Sequence, residues 1–327
     1  PGRIWDFLEV REHRLWIATE QGLVRFEPDT GHFVHLRHDA ADARSLPPGR
    51  VQRLALAGNG DRWAAIGMTW LVRFGPDGTV LERHRLPTTE RGATIEEGIL
   101  ALSPAPQGKL WVGTARGLQW VDPASGEARP HVCDAAGPAE DPVTSLLQGE
   151  DGALWIGTDG GGLCRCDVPG TTCERFLADP AEPSSLSHNR VWSIHEDGAG
   201  RVWIGTANGL NRFEPATRTF VRYQAREGFP SDSVSGILSD RRDVLWLSTN
   251  RGLTRFDPEA GTFRTYSPSD GLQANLANPG ACLRVSDGTL LFGGFSGFVA
   301  FDPGAVQDNP NVPRVVIRSV AGSDFER

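Results

Sequence analysis

The strongest constraint on this chain of 327 residues is an internal repeat with a period of 43 to 48 residues. Each copy has an apolar segment of the form Leu-Trp-Ile-Gly-Thr, followed after a short gap by Gly-Leu and a second apolar segment. The seven copies are anchored at Trp16, Trp63, Trp111, Trp155, Trp203, Trp246 and Leu291. A period in the forties with short apolar segments is typical of a β-propeller, in which each repeat is one blade. The sequence therefore predicts an all-β fold, a seven-bladed β-propeller of four-stranded antiparallel blades.

The composition fits frequent turns better than long helices. Glycine (39) and proline (23) make up 62 of 327 residues, about 19%, against a usual share of roughly 12%. Helix interiors tolerate neither residue well, so a long helical bundle is excluded. In the fifth repeat, apolar segments between turn residues predict four strands at residues 191–194, 202–205, 209–213 and 220–223.

The charge balance argues against nucleic acid as a partner. The chain has 33 basic and 41 acidic residues, a formal net charge of −8, so a phosphate backbone is repelled on average. The sequence contains no run of 18 apolar residues that could span a bilayer. Because it opens at Pro1 without a methionine or a visible signal peptide, we expect it to be a processed piece of a longer protein.

The repeated tryptophan has a structural interpretation. Tryptophans at equivalent positions in equivalent strands favour packing between blades over recognition, because each buries a large apolar area. They are Trp16, Trp111, Trp155, Trp203 and Trp246. Trp70 and Trp120 lie outside that position and could serve another role. The glycines that follow the threonine are interpreted as turn residues, since no helix follows that could bind a phosphate.

Two of the five cysteines replace a repeated pair of phenylalanines. In three repeats the third and fourth strands carry phenylalanines with six residues between them: Phe26/Phe33, Phe213/Phe220 and Phe256/Phe263. The fourth repeat has Cys166 and Cys173 at those positions. Cross-strand neighbours about 4.5–5.5 Å apart suit disulfide geometry. We therefore predict a Cys166–Cys173 disulfide and an oxidising compartment, with two small buried thiols as the alternative.

No metal site and no cofactor are expected. Cys133, Cys164 and Cys282 have no assigned role, and the sequence has no C-x-x-C pair of the kind that holds structural zinc. The eight histidines form no cluster with glutamate at metal-ligand spacing.

The loops at one end of the channel are the candidate binding region. In a four-stranded blade, the turn between the second and third strands and the segment before the innermost strand emerge on the same face. Recognition residues concentrate on loops that a rigid scaffold holds. The candidate ligand-binding residues are Trp70, Arg116, Asp159, His188, Asn189, Arg190, Asn208, Asp232, Asn250, Arg251 and Asn275. Glu20, Arg50 and Phe295 lie on the same loops.

These side chains supply amide, guanidinium and carboxylate groups together with an aromatic ring. Such a mixture suits a hydroxyl-rich or acidic sugar, which needs planar stacking and several directed hydrogen bonds. We therefore expect a carbohydrate or another small polar ligand, and we assign no catalytic residue. Asn189 and Asp232 have a structural alternative, because asparagine and aspartate often cap turns.

The repeat resembles that of a known family. The form Leu-Trp-Ile-Gly-Thr-x-x-Gly-Leu-x-Arg-Phe-x-Pro is similar to the two-component regulator propeller repeat. That repeat is found in the periplasmic sensor regions of bacterial hybrid histidine kinases and of some diguanylate cyclases. Residues 179–189 resemble the family's linker before an innermost strand, and residues 270–303 resemble its closing motif. The resemblance covers residues 3–320.

The resemblance implies a periplasmic, ligand-sensing domain of a membrane-anchored signalling protein, with no enzymatic activity of its own. Residues 1–308 would form the propeller. Residues 309–327 would lead toward a following β-sandwich or would close the seventh blade. The implied partners are a small polar or oligosaccharide ligand, the protein's own β-sandwich and transmembrane signalling module, and a second copy in a homodimer. The cytoplasmic output would be a kinase or a cyclase.

Two repeats depart from the family pattern. The second lacks the Gly-Thr-x-x-Gly core and reads Ala-Ala-Ile-Gly-Met-Thr-Trp at residues 64–70. The seventh lacks an obvious outer strand, which either residues 314–320 or a segment upstream of Pro1 would supply.

Two other functions stay open at this stage. Some seven-bladed propellers, such as streptogramin lyases, are metal-assisted lyases with a histidine base on the same face. Only His38 and His188 lie on the expected side here, and no acid–base set can be assigned from the sequence. The second alternative is a protein-interaction platform, in which the propeller face binds another chain.

Overall fold

The computed structural model describes residues 2–10, 14–27, 30–86, 98–131, 141–167, 172–272, 276 and 278–306. These described residues form 27 β-strands, arranged in seven antiparallel sheets. The predicted seven-bladed, all-β propeller is confirmed.

The first four blades contain strands β1 to β16. Blade 1 has β1 (Ile4–Val10), β2 (Arg14–Thr19), β3 (Gly22–Glu27) and β4 (His32–Leu36). Blade 2 has β5 (Val51–Leu56), β6 (Arg62–Ile66), β7 (Trp70–Phe74) and β8 (Val80–Arg85). Blade 3 has β9 (Ile99–Pro104), β10 (Leu110–Thr114), β11 (Gly117–Asp122) and β12 (Glu127–Pro130). Blade 4 has β13 (Val143–Gln148), β14 (Leu154–Thr158), β15 (Leu163–Cys166) and β16 (Cys173–Phe176).

The last three blades contain strands β17 to β27. Blade 5 has β17 (Val191–Glu196), β18 (Val202–Thr206), β19 (Gly209–Glu214) and β20 (Thr219–Tyr223). Blade 6 has β21 (Val234–Ser239), β22 (Leu245–Thr249), β23 (Gly252–Asp257) and β24 (Thr262–Tyr266). Blade 7 has β25 (Cys282–Arg284), β26 (Leu290–Gly294) and β27 (Gly297–Phe301). Short 3-10 helices lie at Pro106–Gly108, Ala225–Glu227, Pro268–Asp270 and Pro303–Ala305.

The chain runs from the channel outward in every blade, because each strand pairs with the one that follows it. The innermost strands are β1, β5, β9, β13, β17, β21 and β25, and each contacts the innermost strand of the next blade. Strand β1 also contacts β25 and β26. The first and last blades therefore meet, which closes the ring around a central channel.

The repeated tryptophans pack between blades, which confirms their structural interpretation. Each is at most 3% exposed and shares a hydrophobic cluster with strands of the next blade. Trp16 meets Phe74 of blade 2 with ring centroids 4.9 Å apart. Trp155 meets Phe213 of blade 5 at the same distance. One apolar residue per repeat thus joins each blade to its neighbour.

The glycine of the Leu-Trp-Ile-Gly-Thr segment makes room for the next blade. A Cβ at Gly157 would lie 2.6 Å from Cγ1 of Val191, and one at Gly113 would lie 2.7 Å from Cγ1 of Val143. Both valines begin innermost strands and are fully buried. The repeat therefore pairs a glycine in one blade with a β-branched side chain in the next.

Blade 4 has a disulfide where other blades have an aromatic pair. Cys166 and Cys173 lie opposite each other in β15 and β16, in the register that Phe213 and Phe220 occupy in blade 5. A disulfide joins them, and both are buried in the cluster that contains Trp111. The structure thus contains the bond that the repeat pattern predicts.

The described part of the seventh blade has three strands instead of the four expected. In blades 1, 5 and 6 the turn into the outer strand contains a residue with positive φ: Gly31 (70°), Arg218 (58°) and Gly261 (65°). The corresponding Val306 has a φ of −72°, and a β-branched residue is disfavoured in the left-handed region. The chain therefore leaves β27 without that hairpin turn. The predictions for residues 309–327 lie outside the described residues.

Candidate functional site

Backbone hydrogen bonds hold the turn after the second strand against the segments that precede innermost strands. The amide of Ala207 donates to the carbonyl of Arg190 within blade 5 (3.1 Å), and the amide of Gly209 donates to the carbonyl of Asp232 in front of blade 6 (2.7 Å). These turns and segments therefore form one surface, as the sequence predicts. We call it the loop face, and its turns are at residues 20–21, 67–69, 115–116, 159–162, 207–208, 250–251 and 295–296.

The innermost strands of blades 1–6 each begin with a β-bulge. Their register with the second strand shifts between the first and third residues, so that the second residue is extra. The extra residues are Trp5, Gln52, Leu100, Thr144, Trp192 and Ser235. Bulges re-aim side chains and are frequent next to functional sites. Here they lie where the innermost strands leave the loop face, a region we call the channel mouth.

Five side chains from blades 1, 2 and 7 meet at the channel mouth. The guanidinium carbon of Arg3 lies 3.8 Å from the centroid of the Trp5 ring and 4.4 Å from that of Phe295. The guanidinium carbon of Arg50 lies 4.6 Å from the Trp5 ring. Trp5 Nε1 donates a hydrogen bond to Glu20 Oε2 at 2.9 Å. We call these five residues the mouth cluster.

Arg3 is held in place from a second side. Its Nε and Nη2 atoms donate to Oδ1 of Asn278 at 3.2 and 2.7 Å. Burial lowers the pKa of Arg3, and the positive charges of Arg50 and Arg53 lower it further, while Glu20 opposes them. The mouth cluster therefore holds guanidinium groups that repel one another at short range.

Beneath the cluster, Arg53 bridges four blades with its guanidinium group. Its Nε donates to the carbonyl of Leu100 (2.6 Å), and its Nη1 donates to the carbonyls of Gln52 (2.8 Å) and Trp5 (3.1 Å). Its Nη2 donates to the carbonyl of Pro279 at 3.5 Å. These acceptors belong to blades 3, 2 and 1 and to the segment before the innermost strand of blade 7. Arg53 therefore links backbone segments from several sides of the channel, and one of them is the segment that contains Trp5.

Asp6 is the carboxylate that faces Arg53. Its Oδ1 accepts from the amide of Phe7 (2.8 Å) and its Oδ2 from the amide of Leu54 (2.9 Å). Burial raises the pKa of Asp6 to about 6, although Arg53 and the two amides act in the opposite direction. Burial likewise lowers the pKa of Arg53, and Asp6 opposes that shift. The two partly buried groups thus interact electrostatically.

Four of the candidate residues come together between blades 4 and 5. Asp159 forms an ion pair with Nε of Arg190, and the Arg190 guanidinium lies 5.5 Å from the centroid of the Trp192 ring. Nδ1 of His188 accepts from the amide of Arg190 at 2.9 Å. Oδ1 of Asn189 accepts from the amide of Ala178 at 2.7 Å, which is the turn-stabilising role given as its alternative.

A second group of candidates lies between blades 5 and 6. The carbonyl of Asn208 accepts from Nε2 of Gln224 at 3.1 Å. Asn250 Oδ1 accepts from the hydroxyl of Ser231, one residue before Asp232. Arg251 is exposed, and its amide donates to Oγ1 of Thr249 at 3.2 Å.

The remaining candidates do not join these groups. Trp70 begins β7 and packs, partly buried, against the hydrophobic cluster between blades 1 and 2. The Arg85 guanidinium lies 5.8 Å from the Trp70 ring centroid. Arg116 is exposed on the turn of blade 3, where its amide donates to Oγ1 of Thr114 at 3.1 Å. Asn275 lies outside the described residues.

Sequence reasoning missed Arg3, Trp5, Asp6 and Arg53 as site residues. A signal was available, because Asp6 and Arg53 occupy the third position of their innermost strands, where other blades have small residues. Those residues are Ala101, Ser145, Ser193 and Gly236. Because the other repeats have a small residue at this position, a charged residue there indicates a role that is specific to this chain.

His195 lies near the end of β17, the innermost strand of blade 5. Nε2 of His195 lies 2.9 Å from Oγ of Ser239, and burial lowers the pKa of His195 to about 4. Among the described residues, no group of three or more His, Cys, Asp or Glu side chains is arranged to hold a metal ion.

The family model described as two-component regulator propeller matches residues 137–160 and 185–208. Two segments of the chain are therefore similar to the two-component regulator propeller repeat. The matched segments include the Leu-Trp-Ile-Gly-Thr strand of blade 4 and the Val-Trp-Ile-Gly-Thr strand of blade 5. The resemblance drawn from the sequence is thereby confirmed.

Similar proteins include signalling proteins and a lyase. A stretch of 61 residues is 36% identical to histidine kinase P4 of Formosa agariphila, and covers 19% of this chain and 4% of the kinase. The extracellular domain of the hybrid two-component system BT3049 from B. thetaiotaomicron has a TM-score of 0.71 at 21% identity, with 91% of this chain and 40% of that chain covered. A catalytically inactive virginiamycin B lyase from Staphylococcus aureus, solved with quinupristin, has a TM-score of 0.68 at 14% identity, covering 91% of this chain and 94% of that chain.

The two structural similarities concern the fold, because both identities are low. The repeat match and the kinase relative support a sensor-type propeller domain. This chain spans well under half the length of the two signalling proteins. The described residues contain no helix that is long and apolar enough to cross a membrane.

Proposed function

We propose that this chain is the extracytoplasmic ligand-sensing domain of a membrane-anchored signalling protein with a histidine kinase or diguanylate cyclase output. The observation that carries the proposal is the two-component regulator repeat at residues 137–160 and 185–208. The histidine kinase relative and the extracellular domain of a hybrid two-component system support it. In this proposal the domain acts in the periplasm and binds its signal without converting it.

The ligand we propose is a carbohydrate or another small polar molecule that binds on the loop face. The support comes from the side chains that gather there. The mouth cluster supplies guanidinium, carboxylate and aromatic groups, and the Asp159–Arg190 pair beside Trp192 supplies a second polar–aromatic group. Directed hydrogen bonds together with flat rings are the features that sugar recognition uses.

The other partners we propose are the protein's own downstream β-sandwich and transmembrane module, and a second copy of the chain. A sensor must bind its ligand with different affinity in two states. Because seven packed blades make a stiff ring, the two states would differ in dimer geometry or in the packing of the propeller on the sandwich. The blades themselves would keep their arrangement.

A lyase is the second candidate function, because the fold matches that of virginiamycin B lyase over 94% of the lyase. An enzyme of that kind needs an acid or base within reach of the substrate. On the loop face His188 is exposed, and its Nδ1 already accepts a backbone hydrogen bond. We therefore favour binding without turnover.

A thermal-shift screen of the purified chain against oligosaccharides, with the recovered ligand examined by mass spectrometry, tests the proposal. A ligand at 100 times its Kd adds about 2.7 kcal/mol to the free energy of unfolding. A stabilising sugar recovered intact supports a sensor, whereas a sugar recovered cleaved supports a lyase. If no sugar stabilises the chain, the carbohydrate proposal fails and a protein partner becomes the better explanation.

Variants locate the binding site in the same assay. Arg190→Gln removes the cation beside Trp192, and we expect it to reduce the ligand-induced shift if the sugar lies between blades 4 and 5. Arg242→Gln is a matched control, because Arg242 is 68% exposed in the turn between β21 and β22, on the face opposite the loops. An equal loss in both variants would contradict binding at the loop face.

A further inference from the structure

We propose that a cavity in blade 3 binds a small aromatic carboxylate, at a second site away from the loop face. The cavity has a volume of about 360 Å³ and lies beside the turn between β9 and β10, on the face opposite the loops. The described residues that line it include Pro106, Lys109, Trp111, Trp120, Pro130 and His131. We call it the blade 3 cavity. The proposal does not depend on the sensor function, because it concerns other residues on another face.

The turn between the first and second strands has the same length and the same closing hydrogen bond in blades 2 to 7. In blade 3 the amide of Ala105 donates to the carbonyl of Lys109 (2.8 Å), and in blade 5 the amide of Asp197 donates to the carbonyl of Arg201 (3.1 Å). Ala105 and Lys109 therefore occupy the positions of Asp197 and Arg201. The turns of blades 2, 4, 5, 6 and 7 each contain an aspartate, whereas the turn of blade 3, Ala-Pro-Gln-Gly-Lys, contains no acidic residue.

Blades 4 and 5 show what the carboxylate of this turn does. Oδ2 of Asp197 accepts from Nε of Arg201 (2.7 Å) and from Nε1 of Trp203 (2.8 Å), the repeated tryptophan of that blade. In blade 4, Oδ2 of Asp151 accepts from Nη2 of Arg165 at 2.6 Å. The carboxylate therefore pairs with a cation of its own blade, and in blade 5 it also satisfies a buried indole N–H.

Blade 3 has the cation and the indole but no carboxylate in the turn. Nζ of Lys109 lies 3.8 Å from the ring centroid of Trp120, and no carboxylate in the described part of the chain pairs with it. Nε1 of Trp111, which corresponds to Trp203, is buried and has no acceptor among the described residues. The carboxylate of a ligand would supply what Asp197 supplies in blade 5.

The unsatisfied indole is informative at Trp111 because of the cavity beside it. Nε1 of Trp16, Trp63 and Trp246 also lacks an acceptor in the described structure, so this property alone does not define a site. At Trp111 it coincides with a cavity, with an unpaired ammonium group and with a second buried atom that has no partner, Nε2 of His131. Three polar groups that a ligand would satisfy thus border one cavity.

The other lining residues fit a flat apolar body. The position opposite the repeated tryptophan is an arginine in blades 1, 2, 4, 5 and 6, and it is Trp120 in blade 3. Together with Pro106 and Pro130, its indole gives the cavity a surface against which an aromatic ring packs. The volume lies at the lower end of the range that small-molecule sites have. A ligand with one ring and one carboxylate therefore matches the site.

Fluorine NMR titration of the whole chain with 4-fluorobenzoate and, separately, with 4-fluorobenzamide tests the proposal. The amide keeps the ring and the shape of the acid but has no charge. We expect the acid to bind at least about 10-fold more tightly than the amide, because a hydrogen bond to a charged group contributes more than one between neutral groups.

Two substitutions make the matching changes in the protein. Lys109→Gln removes the cation, and we expect a Kd for 4-fluorobenzoate that is about 10- to 100-fold higher. Ala105→Asp introduces the carboxylate that blade 5 has at this position, and we expect it to pair with Lys109 so that 4-fluorobenzoate no longer binds. Arg242→Gln, in the corresponding turn of blade 6, should bind as the wild type does. Thermal unfolding of each variant checks that the fold is kept.

Several outcomes would overturn the proposal. They are equal binding of acid and amide, binding of neither, an unchanged Kd in Lys109→Gln, and wild-type binding by a folded Ala105→Asp. If Ala105→Asp does not fold, the amide and Lys109→Gln decide. Loss of binding in Arg190→Gln but not in Lys109→Gln would place the ligand on the loop face and overturn it too. None of these results bears on the oligosaccharide screen, so the sensor function and this site can fail separately.

Discussion

Replacing Arg53 by methionine tests whether one side chain in the channel holds the ring together. Methionine keeps much of the length and apolar volume of arginine but has no donor. The change removes hydrogen bonds to four carbonyl oxygens in four parts of the ring. It also removes the cation that faces the Asp6 carboxylate. A hydrogen bond in a protein contributes about 0.5–1.5 kcal/mol net, so we expect the loss of these four to cost about 2–5 kcal/mol.

Urea unfolding followed by tryptophan fluorescence measures this loss, and a double-mutant cycle assigns its cause. Asp6→Asn in the Arg53→Met background should recover a large part of the stability, because no charge is then left unpaired. Arg53 lowers the pKa of Asp6, so this pKa should be higher in Arg53→Met than the wild-type value of about 6. The loss in Arg53→Met should therefore shrink as the pH falls toward about 6, because Asp6 is then protonated in the variant. A cost under about 1 kcal/mol, or a cost that is the same at pH 5 and pH 8, would refute the reasoning.

Three further changes test the packing and the chemistry of the ring. Gly157→Ala should lower the free energy of unfolding by about 1–3 kcal/mol, because the new Cβ would clash with Oγ of Ser145 in the same blade and with Val191 of the next blade. Gly58→Ala, which has no atom within 4 Å of the added carbon, should change it by no more than about 0.5 kcal/mol in the same urea titration. The folded-state pKa of Asp6 is raised from 3.8 to about 6, so the folded protein binds a proton on Asp6 at pH values where the unfolded chain has lost it. The free energy of unfolding should therefore fall by about 3 kcal/mol as the pH rises from about 4 to 7. Asp6→Asn should abolish that fall, and a variant with the same pH dependence as the wild type would contradict the shift. Peptide mapping without reductant should recover Cys166 and Cys173 in one linked peptide, and reduction should cost about 2 kcal/mol; separate alkylation of both thiols in the unreduced, unfolded protein would disprove the bond.

The architecture was predictable because the residues that repeat in the sequence are the ones that pack between neighbouring blades. Each tryptophan lies against the next blade, and the glycines at 113 and 157 make room for a valine of the next blade. A period in the sequence therefore reports contacts in space. The disulfide followed from the same logic, since Cys166 and Cys173 occupy a position that is aromatic in other repeats.

The candidate site was only partly predictable, because its residues are exceptions to the repeat. Trp5 gains its position from a bulge, and no bulge can be recognised from alternating apolar residues. Arg53 reaches carbonyl groups that are up to 226 residues away in the chain, so its role depends on ring closure. Asn189 differs, because it lies on a loop that the sequence predicted. Its side chain nevertheless stabilises a turn, by accepting a hydrogen bond from the amide of Ala178.

The place where the ring closes links the mouth cluster to the edge of the fold. Phe295 belongs to blade 7 and Trp5 to blade 1, and Arg3 lies against both rings while it binds Asn278 on the blade 7 side. Within each blade, hairpin turns connect neighbouring strands. In the described part of the chain, side chains hold the first and last blades together. A ligand in the mouth cluster would therefore add contacts across the junction between blades 1 and 7, which brings together the first and last blades of the described chain. That junction adjoins β27, whose outer side carries no described strand, so such a ligand would bind beside the edge of blade 7.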